Sequence, residues 1–227
     1  MIELFTADTP NGIKIPIALE ELGAPYVVRM MKLGSPELRS PEFAQVNPNG
    51  KIPAIRDHSS DGGPPITAFE SGAILLHLAE TFGGLLGATP QARAQTLSWL
   101  FLQVAGLGPA LGNAGHFRGL RAPDPYATKR FQGEAARLLG LLEQRLRDSA
   151  WLNGESYSVA DIAHFGWVRR MGYGGFALSD FPALSAWVDR IEARPATSRA
   201  IRRLSQGGDA PLPAPTNASA VTPSGAT

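Results

Sequence analysis

The spacing of the apolar residues changes its period about a third of the way along the chain, and no other feature restricts the possible folds as much. Up to about residue 84, short apolar runs alternate with turn-forming clusters. Ile2 to Phe5 is such a run, ended by Asp8-Thr9-Pro10-Asn11-Gly12, which predicts a strand and then a turn. Ile13, Ile17, Leu19 and Leu22 share one face of a helix, and Gly23 stands where a C-terminal cap belongs. Tyr26 to Met31 favours a second strand. Residues 33–50 are loop-rich, broken by Pro36, Pro41 and Asn47-Pro48-Asn49-Gly50. Pro53 to Arg56 and Pro65 to Phe69 then flank Ser60-Asp61-Gly62-Gly63 and read as a hairpin. Ile74, Leu75, Leu78, Ala79 and Phe82 return to helical spacing, closed by Gly83-Gly84. The order is βαβ, then ββα.

Beyond that point every periodic stretch is helical: 93–112, 126–147, 159–171, 183–193 and 197–204. Ser158-Val159-Ala160-Asp161 has capping-box spacing, with Tyr157 and Ile162 placed as the hydrophobic staple. The chain is therefore expected to be α/β followed by all-α, with one domain over 1–84 and a second over 90–205. The 21 residues from Gly207 contain four prolines and one charge, too little apolar surface to form a core. Residues 206–227 are read as a flexible tail, in which Asn217-Ala218-Ser219 matches a glycosylation acceptor pattern only by chance.

Composition removes several functions. There is no cysteine, which excludes disulfides, thiolate metal sites and any nucleophilic sulfur supplied by the protein. The net charge is +1 without a run of like charges, so nucleic acid and anionic membranes are not expected partners. Residues 1–84 carry −4 and 85–227 carry +5, which fits two halves meeting across a cleft and equally fits two solvated surfaces. MIELFTADTP is not a secretory start, and no apolar stretch reaches about 20 residues, so the expected location is cytoplasmic. The histidines at 58, 77, 116 and 164 have no metal-ligand spacing, and no metal is expected.

Three clusters can carry chemistry. Thr9, Pro10, Asn11 and Gly12 lie between a strand end and a helix start, where a hydroxyl, a side-chain amide and free backbone amides can hold an anion. The plainer alternative is a helix cap. In Asn49-Gly50-Lys51-Ile52-Pro53, a proline opens a strand; were its peptide cis, the Ile52 backbone would face outward to pair with an extended peptide. Glu70-Ser71-Gly72 opens a helix with a hydroxyl and free amides for a carboxylate, beside a carboxylate for an ammonium group. That combination suits the zwitterionic head of an amino acid, and also an ordinary acidic first turn. His116 and Phe117 follow an expected kink at Gly108-Pro109, either lining a second-substrate pocket or standing on an exposed loop.

In this order, within one βαβ–ββα unit, the clusters resemble the glutathione transferase superfamily over about residues 1–205. The bacterial nu class, the glutathione-dependent disulfide-bond oxidoreductases, is the nearer likeness. It is carried by TPNG at 9–12, NPNGKIPAI at 47–55, FESGAILLHLAE at 69–80, WLFLQVAGLGPALG at 99–112 and GESYSVADIAHFGWV at 154–168. The resemblance implies a thioredoxin-like N-terminal domain, an all-helical C-terminal domain and a homodimer. It implies glutathione as cosubstrate, with Thr9 and Asn11 facing the sulfur and the Ile52 backbone, ahead of Pro53, pairing with the cysteinyl part. Glu70 and Ser71 would hold the γ-glutamyl head, Lys51 would lie near the glycyl carboxylate, and Arg130 would approach from the helical domain.

The implied activity is reduction of small disulfides by exchange between bound glutathione thiols. Position 5 is Phe, so the phenol used by several transferase classes is missing there, and without cysteine a mixed disulfide on the protein is impossible. Conjugation to an electrophile, peroxide or ether cleavage, and a glutathione-binding regulator without turnover are the alternatives. Two positions depart from the pattern. Leu38 stands where a polar residue is expected near the glycyl end. Pro16 falls about five positions into the first helix if Asn11 caps it, where proline would remove a hydrogen bond; a later helix start would avoid this.

Overall fold

In the computed structural model, which describes residues 1–58, 63–122, 124–154 and 156–207, strand β1 (Ile2–Thr6) lies inside a four-stranded sheet. It pairs in parallel with β2 (Tyr26–Met30) and antiparallel with β3 (Ala54–Asp57), and β3 pairs antiparallel with the edge strand β4 (Ile66–Phe69). The hairpin is thus present, while its turn at Ser60-Asp61-Gly62 lies outside the described residues. So does the chain from 208 onward, including Asn217-Ala218-Ser219.

Alternation along β1 sorts its side chains by face. Ile2, Leu4 and Thr6 are fully buried. On the other face Glu3 bridges Arg29 and Arg56 at 3.1 and 2.9 Å, and Phe5 meets Phe43 edge-on at 5.6 Å. Phe43 belongs to a short helix α2 (Pro41–Ala44), preceded by a 3₁₀ turn at Pro36–Arg39, so 33–50 is more ordered than its prolines suggest. Ser40 caps α2 by accepting from the Phe43 amide at 3.1 Å. Leu38, Phe43 and Val46 join Met31 and Ala54 in a small apolar cluster, with Phe5 and Ile52 packed against it. That cluster supports the loop ahead of Pro53.

Helix α1 runs from Lys14 to Leu22, so Pro16 occupies its first turn, where no amide is needed. Gly23 ends it at φ +63°, its N–H reaching the Glu20 and Leu19 carbonyls. Helix α3 (Ser71–Phe82) buries Ile74, Leu75, Leu78 and Ala79.

The second part of the chain is helical: α4 (Pro90–Leu102), α5 (Gly108–Arg118), α6 (Pro125–Arg147), α7 (Val159–Val168), α8 (Pro182–Glu192) and α9 (Pro195–Ser205). In place of one helix over 93–112, a π-helical turn at Gln103–Leu107 joins α4 to α5. The physical reason is Pro109, whose ring would strike the carbonyl four residues back in a regular helix; the wider turn makes room for it. Asp161 anchors the start of α7: its Oδ2 accepts from the Ser158 amide (3.0 Å) and hydroxyl (2.9 Å), and its Oδ1 from the Leu152 amide and Trp187 Nε1, both at 3.0 Å.

The sheet domain and the helical domain share one continuous apolar core. At their junction the charge asymmetry of the sequence takes physical form. Arg170 pairs with Asp8 at 2.7 Å, Arg194 with Glu21 through contacts of 2.5 and 2.8 Å, and Arg199 with Glu20 at 2.6 Å. A Cβ at Gly166 would lie 2.1 Å from the Pro10 carbonyl oxygen, so α7 needs glycine there to rest on the β1–α1 loop. No helix among the described residues is long and apolar enough to cross a membrane.

Candidate active site

The β1–α1 loop is held from within. Thr6 Oγ donates to the Gly12 carbonyl at 2.9 Å, and the Gly12 amide donates to Thr9 Oγ at 2.9 Å. Thr9 Oγ is therefore used as an acceptor, leaving its own proton to donate elsewhere. A Cβ at Gly12 would stand 2.0 Å from the Ala7 carbonyl oxygen, which only glycine tolerates. Asn11 does not cap α1. Its Oδ1 accepts from Lys14 Nζ and from Trp167 Nε1, each at 2.9 Å. Trp167 Nε1 can only donate, so the shared atom must be the oxygen, and Nδ2 is the donor that Asn11 has left to offer.

Lys14 is fully buried. Besides Asn11, its ammonium donates to Ser71 Oγ at 3.1 Å and to Gln103 Oε1 at 2.7 Å. Burial pulls its pKa from 10.5 down to about 7, against the Glu70 carboxylate, which raises it. One cation thus ties the β1–α1 loop, the start of α3 and the π-helical turn together.

At the start of α3, Glu70 adopts φ +70°, ψ +119°. A non-glycine residue in that region carries about 1–3 kcal/mol of strain and is concentrated at ligand sites. The turn exposes Glu70 at the rim, while Ser71 is almost buried beside Lys14. Glu70, Ser71 and Asn11 line a cavity of about 310 Å³ whose far wall is Gln103, Pro109 and Trp167. Glycines shape that wall: a Cβ at Gly112 would lie 3.1 Å from the Trp167 ring, and one at Gly108 would lie 2.8 Å from Gln103 Nε2.

A second cavity of about 390 Å³ shares Asn11 and Trp167 with the first and is otherwise lined by Thr9, Arg39, Lys51 and Ile52 among others. The two form one cleft between the sheet domain and the helices, with Asn11 at their junction. The Ile52–Pro53 peptide is cis, and Pro53 is buried behind Ile52. Asn47 fixes the preceding loop: its Nδ2 donates to the Lys51 carbonyl at 2.6 Å, and its Oδ1 accepts from the Asn49 amide at 2.9 Å. Gly50 at φ +63° passes so near Leu38 that a Cβ would lie 2.9 Å from its carbonyl oxygen. Leu38 itself is buried in the small cluster, and the adjacent Arg39 supplies the polar group on that side.

The structure brings Thr9, Asn11, Lys51, Ile52, Glu70 and Ser71 to this cleft. Arg130, His116 and Phe117 line neither cavity. Arg130 is exposed on α6. His116 lies one turn past Gly112, exposed and edge-on to Phe117 at 5.1 Å, and Phe117 stacks on Phe131 at 5.5 Å. The continuous helix explains this, because α5 carries His116 away from the cleft that Pro109 and Gly112 face. His77 pairs with the buried Asp57 carboxylate at 2.8 Å.

Sequence reasoning missed Lys14, Gln103, Trp167 and Arg39. One signal for Lys14 was available: it is the only charge within Ile13-Lys14-Ile15-Pro16-Ile17, and such a lysine has no apolar-free face to occupy. Gln103 and Trp167 carried no such mark.

Residues 10–81 match the family model for the glutathione S-transferase N-terminal domain, and 119–195 match that for its C-terminal domain. The disulfide-bond oxidoreductase YfcG of Escherichia coli (strain K12) is 48% identical over 212 residues, 92% of this chain and 98% of that protein. A glutathione transferase family member from Pseudomonas fluorescens pf-5, solved with two glutathiones bound, is 39% identical with a TM-score of 0.82, over 88% of this chain and 92% of that one. A glutathione transferase from Pseudomonas putida, solved with one glutathione disulfide bound per subunit, is 38% identical with a TM-score of 0.83, over 88% and 90%.

Proposed function

Because this chain belongs to the glutathione S-transferase family, we propose that it is a glutathione-dependent disulfide-bond oxidoreductase of the nu-class kind, a cytoplasmic homodimer that reduces small disulfides. The observation that carries the reading is the Thr9–Gly12 turn. In a chain without cysteine, it sets two side chains with a donor to spare along the cleft, Asn11 on both cavities and Thr9 on the second.

Such a pair of donors suits a thiolate. The Thr9 hydroxyl and Asn11 Nδ2 donate to the sulfur, lowering its pKa from the free value of about 8.5 and raising the thiolate fraction at neutral pH. The Ile52 backbone pairs with the cysteinyl residue, and Glu70 takes the γ-glutamyl ammonium. Ser71 donates to the neighbouring carboxylate, and Lys51 and Arg39 lie on the side of the glycyl carboxylate.

The chemistry is two successive exchanges. A glutathione thiolate attacks one sulfur of the substrate disulfide, the S–S bond breaks, and the departing thiolate takes the proton that the first glutathione released. A second glutathione thiolate attacks the glutathionyl sulfur of the mixed disulfide, and the second substrate thiolate leaves with the second proton. Two glutathiones and one disulfide become glutathione disulfide and two thiols. The relatives solved with two glutathiones or with glutathione disulfide support a cleft of this capacity.

The test is steady-state reduction of a small symmetric disulfide by glutathione. The Thr9→Ala, Asn11→Ala double variant is expected to lose about 100-fold in kcat/KM; because it also strands the Gly12 amide, Lys14 and Trp167 as donors it should melt earlier, so turnover is compared at a temperature where both proteins are fully folded. Unchanged turnover would remove both residues from the mechanism. Turnover of electrophiles or peroxides with none of disulfides would replace the proposed reaction with conjugation or peroxide cleavage.

A further inference from the structure

We propose that Lys14 is the positioning residue of this cleft: its buried ammonium turns the donor ends of Asn11, Ser71 and Gln103 toward the ligand, so that the site selects anions only while that proton is held. The inference rests on the reading of the cleft as a glutathione site.

An ammonium has three N–H groups and no acceptor, and Lys14 has three partners: Asn11 Oδ1, Ser71 Oγ and Gln103 Oε1. All three partners line the same cavity. Each has its acceptor engaged inward, so what it has left is a donor: Asn11 Nδ2, the Ser71 hydroxyl proton and Gln103 Nε2. Gln103 Nε2 is buried and has no hydrogen-bond partner among the described residues, a costly condition that a ligand acceptor would relieve. The π-helical turn brings Gln103 to this place, and such turns recur at functional sites.

A purely structural role accounts poorly for this arrangement. A buried ammonium costs several kcal/mol of desolvation, and an apolar side chain of the same length would fill the space without that cost. The groups facing Lys14 from the packed elements are Glu70 at the start of α3 and His164 on α7. His164 is held neutral by burial, its pKa pushed down to about 3, so among the described residues Glu70 is the charge opposite Lys14. With the Lys14 pKa lowered to about 7, the ligand-free site is divided between two states near neutrality. In the neutral amine one N–H becomes a lone pair, and Ser71 turns its hydroxyl proton inward to meet it. The cleft then loses both the charge and one outward donor. An anionic ligand favours the ammonium, so binding draws a proton from solution.

The experiment is calorimetric titration of the whole protein with S-methylglutathione, which has no thiol to ionise, from pH 6 to 9 in two buffers of different ionisation heat. At pH 7.5 uptake of about half a proton or more per ligand is expected, rising from near zero at pH 6 with a midpoint near 7. The Lys14→Met variant should lose that uptake and bind about tenfold more weakly at pH 6.5, with the difference from the native protein closing by pH 9. A structural role would weaken binding equally at every pH, and that result would overturn the proposal, as would identical affinity and uptake in the two proteins. Should Lys14→Met fail to fold, the native profile decides alone: no rise in uptake below pH 8 overturns the proposal. No binding of S-methylglutathione by the native protein would instead overturn the glutathione reading itself.

Discussion

Two side chains with opposite charge are completely buried near helix starts, Lys14 in the sheet domain and Asp161 in the helical domain. Each is met by enough hydrogen bonds to be tolerated away from water. They differ in who the partners are. Asp161 receives four donors from Ser158, Leu152 and Trp187, groups that join α7 to the preceding loop and to α8. Lys14 gives its three protons to residues that line the cleft. A buried charge satisfied by the scaffold holds a fold together, whereas one satisfied by ligand-facing groups decides what those groups offer to a ligand.

Breaking the Asp161 side of this contrast should have the largest effect. Asp161→Asn presents an NH₂ group to donors that need an acceptor and should destabilise the protein by about 3 kcal/mol. A chemical denaturation midpoint that stays unchanged would remove Asp161 as the anchor of α7. Next is the pH dependence that Lys14 confers without ligand. The folded protein releases this proton at about pH 7 and the unfolded chain at 10.5, so between them the unfolded state binds more protons. Stability therefore rises with pH, by up to about 1.4 kcal/mol per unit between pH 7 and 9. Urea titrations should show that slope, and Lys14→Met should flatten it. Smaller again is the junction pair. Arg194 grips Glu21 at 2.5 and 2.8 Å and lies 4.0 Å over the Tyr157 ring. Arg194→Ala should cost about 1 kcal/mol, falling in high salt; a loss independent of salt would assign the contact to packing instead.

Most of the architecture could be read from the residues because it follows from local rules. The succession of elements along the chain follows from short apolar runs between turn clusters, and α7 from the Ser158–Asp161 spacing, which the hydrogen bonds of Asp161 reproduce. Pro16 was the local conflict, and it disappears once α1 starts at Lys14. The short helix at Pro41–Ala44 was hidden by its own proline, which opens the helix instead of interrupting it. The joining of α4 to α5 was not legible, because it depends on how the chain relieves the clash of Pro109 with an earlier turn. For His116 and Phe117 the sequence left a pocket wall and an exposed loop both open; they lie instead on the last turn of α5, with His116 exposed and neither residue lining the two cavities.

At the cleft the division is sharper. Thr9, Asn11, Glu70 and Ser71 stand at the strand–helix junctions of the sheet domain, and local spacing is enough to find such junctions. Whether these residues offer donors or acceptors was beyond the sequence, since a helix cap was the plainer reading of Thr9 and Asn11. The tertiary structure decided it by bringing Trp167 within 2.9 Å of Asn11 across 156 positions, and Gln103 within 2.7 Å of Lys14 across 89. The sequence by itself determined the two-part fold, the absence of a protein thiol and the loops that line the cleft, because periodicity, composition and turn chemistry are local. Only the packing of α7 and the π-helical turn over the β1–α1 loop set the polarity of the site, because the direction of a hydrogen bond belongs to a pair of groups and the pairs here are distant in the chain.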